Sequence, residues 1–417
     1  MLDLLKTLHT EFTQRLAELD NTIMTREVYL PDDLDKVTVA IGMRRTGKSY
    51  ALFLEIQKLL KKSVVLDQIL YIDFEDDRLQ PFSQQTLAQL LDAFYSLYPE
   101  NHGRLCYLFL DEIQMIPEWP LVIRRFLNTK KVKIYLTGSS AKLLSKEIAT
   151  SMRGRALTTE VWPYSFKEYL TIHHEKAYIM PLGQQARDKY TKLLHAYLLE
   201  GGFPEVVNQP QLRWMRLLQD YVEVVTYRDI IERYNITNLH VIKYMISYLI
   251  KNAATSFSVN KFHNDLKSQG FSVGRDTVSL YLSYIEDAFL IFSVPLYSES
   301  VRKTQVNPKK CYTIDTGMIR ANQLSLSPNW GRIFENLIYL DLRRRGDEIY
   351  YYLTQDRYEV DFFTRCTQGK MHLYQVVWNM DDTQTVEREM RALKQAENEL
   401  GITGELISPE SYFGWLK

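Results

Sequence analysis

Disulfide chemistry has almost nothing to work with in this chain. Its 417 residues hold three cysteines, Cys106, Cys311 and Cys366, an odd number set far apart. No two have the spacing of a metal site and no disulfide framework follows, so the expected setting is the reducing cytoplasm. Long apolar runs are lacking too, and nothing approaches the roughly 18 residues a membrane-spanning helix needs. At the N-terminus, Asp3, Lys6, Glu11 and Arg15 interrupt any signal-peptide core. Leu5, Leu8, Phe12, Leu16 and Leu19 recur there at helical spacing, which predicts an amphipathic helix packed on its own protein and no membrane partner. Charge of one sign is also missing: 51 Lys and Arg balance 51 Asp and Glu. Without a global field, any nucleic-acid surface has to be a local patch. Apolar material is plentiful at 46% of residues, enough for two or three domains of about 150 residues each.

What is present is a chemical motif at residues 40–50, AIGMRRTGKSY. Gly42, Gly47, Lys48 and Ser49 fit G-x-x-x-x-G-K-[ST]. The backbone of Met43, Arg44, Arg45 and Thr46 can wrap phosphates, Lys48 supplies a charge to the β and γ oxygens, and Ser49 offers a hydroxyl to Mg²⁺. Val37–Ile41 reads as a buried strand before this loop. The helix after it, opening at Tyr50, adds the dipole of its N-terminus. A second apolar strand, 105–110, ends in Asp111 and Glu112. An acid there can hold Mg²⁺, and its neighbour can orient the attacking water. A third, 132–136, ends in Thr137-Gly138-Ser139-Ser140. Thr137 could sense the γ-phosphate, or these residues could simply cap a turn. With further strands at 68–74 and 156–162, strands alternate with helices, as in an α/β fold with a parallel sheet that binds ligands at the strands' carboxyl ends.

These motifs in this order, with GR, WPYSFKEY and GGFPE following, resemble the predicted prokaryotic AAA-type ATPases that carry a C-terminal domain of unknown function. The resemblance runs over nearly the whole chain. It implies a P-loop NTPase sheet of order 5-1-4-3-2, with ATP and Mg²⁺ as ligands and Glu112 as the catalytic acid. It also implies an arginine completing the site from the same chain or from a neighbouring subunit of a homo-oligomer. Arg155 and Arg228 are the candidates, and each reads equally as an ion-pair partner.

Beyond the core the pattern turns helical, and the family implies a lid. Ser258 can cap a helix over 259–268, Gly270 ends it, and Gly274 opens a second helix through Ala288 before the apolar 289–294. This is the outline of a winged helix. Arg275, Thr277 and Ser279 could face DNA, or the helix could serve a protein contact. The basic stretch 299–345 could add phosphate contacts. The C-terminal region reads as helix, three-stranded meander and helix, and resembles the PD-(D/E)xK nuclease core. Glu335 and Asp361 align with its acids, but Gln375-Val376-Val377 stands where an acid and a lysine are needed. An inactive nuclease-like module follows.

The expected divisions are therefore an N-terminal helix (1–35), a P-loop core (36–165), a helical lid (166–255), a winged-helix-like unit (256–300) and a nuclease-like α+β domain (301–417). The expected activity is Mg²⁺-dependent ATP hydrolysis coupled to an unidentified protein or DNA partner. The alternative is a nucleotide-gated binding module with little turnover.

Overall fold

Four of the five residues of β1 (Val37–Ile41) are β-branched, and all five are buried, as a central strand covered on both faces requires. In the computed structural model, which describes residues 1–19, 24–139, 152, 154–175, 183–323 and 327–416, the chain divides into two units, Met1–Trp162 and Pro163–Lys417.

The first unit begins with α1 (Leu2–Leu19), followed by β1, α2 (Lys48–Lys61), β2 (Ile69–Asp73), α3 (Gln84–Leu97), β3 (Cys106–Asp111), α4 (Trp119–Thr129), β4 (Val132–Gly138) and β5 (Ala156–Glu160). The five strands form one parallel sheet of order β2-β3-β4-β1-β5, the P-loop NTPase arrangement that the resemblance implied. Its core joins Ala40, Leu52, Phe53, Ile56, Leu59, Phe109 and Tyr135 to Phe12 and Leu16 of α1. Phe12 stacks on Phe53 and Tyr71 at 6.2 and 5.4 Å, so the amphipathic N-terminal helix spends its apolar face inside this unit.

Register carries the functional groups to one edge. Ile41 pairs with Gly138 and Glu160, and Asp73 pairs with Asp111. The P-loop, Asp111 at the end of β3 with Glu112 after it, and the end of β4 therefore share the carboxyl edge of the sheet.

The second unit opens with helices α5 (Phe166–Ile172), α6 (Gln184–Glu200), α7 (Gln211–Val224) and α8 (Leu239–Lys251). A π-helical stretch, Val225–Glu232, prolongs α7. Next come β6 (Thr255–Phe257), α9 (Val259–Ser268), α10 (Arg275–Asp287), β7 (Ile291–Val294), α11 (Val301–Val306) and β8 (Lys309–Thr313). These strands form an antiparallel sheet of order β6-β8-β7. The remaining elements are α12 (Thr316–Ala321), α13 (Trp330–Arg344), β9 (Glu348–Leu353), β10 (Glu359–Arg365), β11 (Met371–Val376), α14 (Thr383–Leu400), β12 (Gly404–Ile407) and α15 (Pro409–Trp415). A second sheet has the order β12-β11-β10-β9, antiparallel except for the parallel pair β11–β12.

Two sequence expectations shift here. Thr255 pairs with Cys311 and Ile291 with Thr313, so hydrogen bonds cross the division expected at residue 300. Strand β12, beyond the last expected helix, extends the meander to four strands.

Candidate functional site

Gly42 and Gly47 shape the loop between β1 and α2. A Cβ on Gly42 would stand 2.3 Å from the carbonyl oxygen of Val161. Gly47 has φ +95°, a left-handed conformation that glycine adopts without steric penalty. Arg26 braces the loop from outside the motif: Nη1 donates to the Thr46 carbonyl at 3.0 Å and Nη2 to the Trp162 carbonyl at 2.7 Å. Met43 and Thr46 are buried, and Thr46 Oγ1 donates to the Met43 carbonyl at 2.9 Å. Arg45 and Tyr50 lie exposed. Arg44 forms a 2.5 Å ion pair with Glu75.

Lys48 is 5% exposed. Its Nζ donates to the carbonyls of Gly42 and Met43 at 3.1 and 3.2 Å and lies 3.4 Å from Glu112 Oε1. Burial pushes the Glu112 carboxyl up, but Lys48, Gln114 and Arg44 outweigh it, and the net shift is below the ordinary value. A triphosphate would compete with Glu112 for this ammonium.

Asp111 is buried, and three hydroxyls bond its carboxylate. Tyr71 donates to Oδ2 at 2.8 Å, Thr137 to Oδ1, and the Ser49 hydroxyl also bonds the carboxylate. Burial, then Glu112, raises its pKa. Thr137 Oγ1 also accepts from the Glu112 N–H at 2.9 Å. Its hydroxyl thus ties the two acids together; Ser140, from the same expected motif, lies outside the described residues. At the end of β2, burial and then the neighbouring Asp111 push the Asp73 carboxyl up to about 6.

Lys48, Ser49, Asp111, Glu112 and Thr137 therefore meet at one place. Arg155 does not join them. Its carbonyl accepts from the Val37 N–H at 2.8 Å, and Nη1 donates to Asn128 at 2.6 Å. It sits at the amino edge of the sheet, a full strand length from the P-loop of its own chain. Arg228 belongs to the second unit, exposed on the π-helical stretch. Arg26, Tyr71, Asp73 and Gln114 complete the neighbourhood. No motif spacing singles out the first three, whereas Gln114 lies in the LDEIQ run.

The second unit holds another cluster. Lys310 on β8 is buried, with Nζ 2.6 Å from Glu335, 3.0 Å from Glu359 and 3.0 Å from Asp361. Tyr312 donates to Glu335 at 2.8 Å, the Val376 N–H to Asp361 at 3.0 Å, and the Asp361 N–H to Gln375 at 3.1 Å. Burial, then Asp361, pushes Glu335 up to about 8. Where the nuclease motif calls for a lysine, Val377 stands just past the end of β11, and the cation beside these carboxylates comes from β8 instead.

Among the described residues no helix is long and apolar enough to cross a membrane. Residues 34–170 match the family model of an AAA domain, and residues 191–329 match a domain of unknown function (DUF8612). The second match runs across the divisions expected at 255 and 300. An uncharacterised protein of Methanocaldococcus jannaschii is 36% identical over 91% of this chain and 83% of its own length. One from Haemophilus influenzae is 27% identical over 93% and 95%. Among solved structures, a Walker-type ATPase of Pyrococcus abyssi aligns with TM-score 0.43 and 15% identity over 74% of this chain and 93% of that one. The ORC1 protein of Aeropyrum pernix, solved in complex with DNA, aligns with TM-score 0.28 and 13% identity over 69% and 86%. With its P-loop geometry and its AAA domain over residues 34–170, the chain is of the P-loop ATPase type, and by its extended identity it belongs to one family with the Methanocaldococcus jannaschii protein.

Proposed function

We propose that this chain binds ATP with Mg²⁺ at residues 42–50 and hydrolyses it, and that the cycle acts as a switch or motor on a macromolecular partner in the cytoplasm. The observation that carries this reading is the meeting of Lys48, Ser49, Asp111, Glu112 and Thr137 at the carboxyl edge of the sheet. Backbone N–H groups of the loop and the N-terminus of α2 would hold the phosphates, with Lys48 leaving Glu112 to meet them. The Ser49 hydroxyl and the Asp111 carboxylate are already in contact and are the hard oxygen donors that Mg²⁺ takes. When bound, the metal supplies charge neutralisation at the phosphate oxygens. Glu112, released by Lys48 and still held by the Gln114 amide, orients and deprotonates water. Thr137 positions both acids.

Arg155 could serve only a neighbouring copy, which would make the working form a homo-oligomer; Arg228 is the other candidate. In the second unit, the order β6-α9-α10-β7-α11-β8, with the three strands in one antiparallel sheet, supports a winged-helix reading. Arg275 and Ser279 are exposed on α10 while Val278, Tyr281, Leu282 and Ile285 are buried, which leaves a face for DNA or a protein. The order α13-β9-β10-β11-α14 supports a nuclease-like outline. The Lys310 ammonium seated among the carboxylates supports a binding or assembly role for it rather than hydrolysis.

The test is phosphate release from ATP, with and without DNA, beside Glu112→Gln. Turnover that the variant loses while ATP binding persists is the expected result, with a fall of about 100-fold or more. Undiminished turnover in the variant removes Glu112 from its role. Tight ATP binding without turnover in either protein would favour the nucleotide-gated binding module.

A further inference from the structure

Gln114 lies two residues beyond Glu112, in the short helical turn Ile113–Met115 that follows β3. Glu112 itself has φ +52°, a left-handed conformation seldom adopted by glutamate and often found where a side chain must be held in a working position. The Gln114 Nε2 donates to Glu112 Oε2, while Lys48 faces Oε1 at 3.4 Å. The other half of the amide is unused: Gln114 Oε1 is buried and, among the described residues, meets no donor. Buried carbonyl oxygens are nearly always satisfied, and one left open beside a reactive carboxylate calls for an explanation.

If the amide served only to steady Glu112, its donor would suffice and its acceptor would have no reason to be sheltered from solvent. An acceptor and a carboxylate side by side match a different need. An attacking water has two hydrogens, and fixing both fixes the direction of its lone pair.

We propose that Gln114 is a water-positioning residue, holding the hydrolytic water jointly with Glu112. This rests on the ATP-hydrolysis reading above. One water hydrogen goes to Gln114 Oε1 and the other to the Glu112 carboxylate. The water oxygen then bonds to the γ-phosphorus as the bond from that phosphorus to the β,γ-bridging oxygen breaks. ADP leaves with the electron pair, and the water proton passes to Glu112 and on to solvent. The Gln114 N–H group keeps Glu112 in place throughout.

The experiment compares the full-length wild type with Gln114→Met, which keeps the volume without polarity, and Gln114→Glu, which keeps an acceptor but loses the donor. Steady-state phosphate release gives kcat and KM across pH, and titration with a fluorescent ATP analogue in the presence of Mg²⁺ gives affinity. For Gln114→Met the expected result is a kcat lower by about 10–100-fold, with nucleotide affinity within about twofold of wild type. For Gln114→Glu, the added like charge raises the titration of Glu112, so the acid limb of kcat moves to higher pH. A Met variant with unchanged kcat overturns the proposal while leaving the ATPase reading intact. So does one that has lost nucleotide binding, because the amide is then structural. A wild type that binds ATP but never turns it over overturns the ATPase reading, and this proposal with it.

Discussion

Asp73 faces Asp111 in register at the end of β2, with one oxygen accepting the Glu75 N–H at 2.9 Å. Burial is the larger cause of its raised titration and Asp111 the second, moving it from 3.8 to about 6. The sign follows from linkage. The folded carboxyl holds its proton more tightly than the unfolded one, so ionising Asp73 costs stability. That cost is absent below pH 3.8 and complete above about pH 6. Without nucleotide or Mg²⁺, Asp73→Asn is therefore expected to melt higher than wild type at pH 7, by about 2–4 °C. The gain should vanish near the unfolded value of 3.8. Melting curves at both ends of this window check it, and an equal gain at both would show that the charge is not the cause. Residues of this kind are hard to read from a sequence. Gly42, Gly47, Lys48 and Ser49 are legible by their motif spacing, and Asp111 and Glu112 by standing at the end of an apolar strand. Asp73, Tyr71 and Arg26 reach the same place through register and long-range packing, which leave no local signature.

At the level of elements, β8 joins what the sequence reads as separate. It pairs with β6 and β7, and its Lys310 enters the carboxylate cluster of α13 and β10. Helices α9 and α14 show their periods, caps and glycine stops in the sequence. The strands β9 and β10 show alternation and turn residues. What a strand pairs with is not local, so β8 reads only as the opening of the C-terminal region. The charge cluster is hidden for the same reason. Motif spacing looks for a cation two positions after Gln375, just past the end of β11, where Val377 is buried. Removing one partner from such a buried pair leaves uncompensated charge and typically costs about 3–5 kcal/mol. Lys310→Met should lower the stability of the second unit by that order in urea unfolding. Adding Glu335→Gln and Asp361→Asn should recover much of the loss, since the one carboxylate of the cluster then left charged, Glu359, is 40% exposed to solvent. A triple variant no more stable than Lys310→Met would mean that the lysine's packing, not its charge, holds the cluster.

For the whole molecule, the division at Trp162 has a functional corollary. Each cradle and acid residue of the candidate site, from Gly42 to Thr137, lies in the first unit, and so do its supports Arg26, Tyr71, Asp73 and Gln114. That unit also keeps α1, whose Phe12 and Leu16 complete its core. A fragment starting at β1 would lose those contacts, whereas residues 1–162 retain the entire sheet and its cluster. The fragment 1–162 is accordingly expected to fold and to bind ATP with Mg²⁺ at an affinity within about tenfold of the full chain, a difference of about 1.4 kcal/mol. Lys48→Ala should abolish binding in both. Circular dichroism establishes folding and nucleotide titration the affinity. A folded fragment without measurable ATP binding would mean that the second unit supplies contacts the nucleotide requires, and that the cradle of residues 42–50 is only part of the site. Binding by the fragment combined with turnover only in the full chain would divide the labour differently: capture of the nucleotide would belong to the first unit, and commitment to hydrolysis would depend on the second.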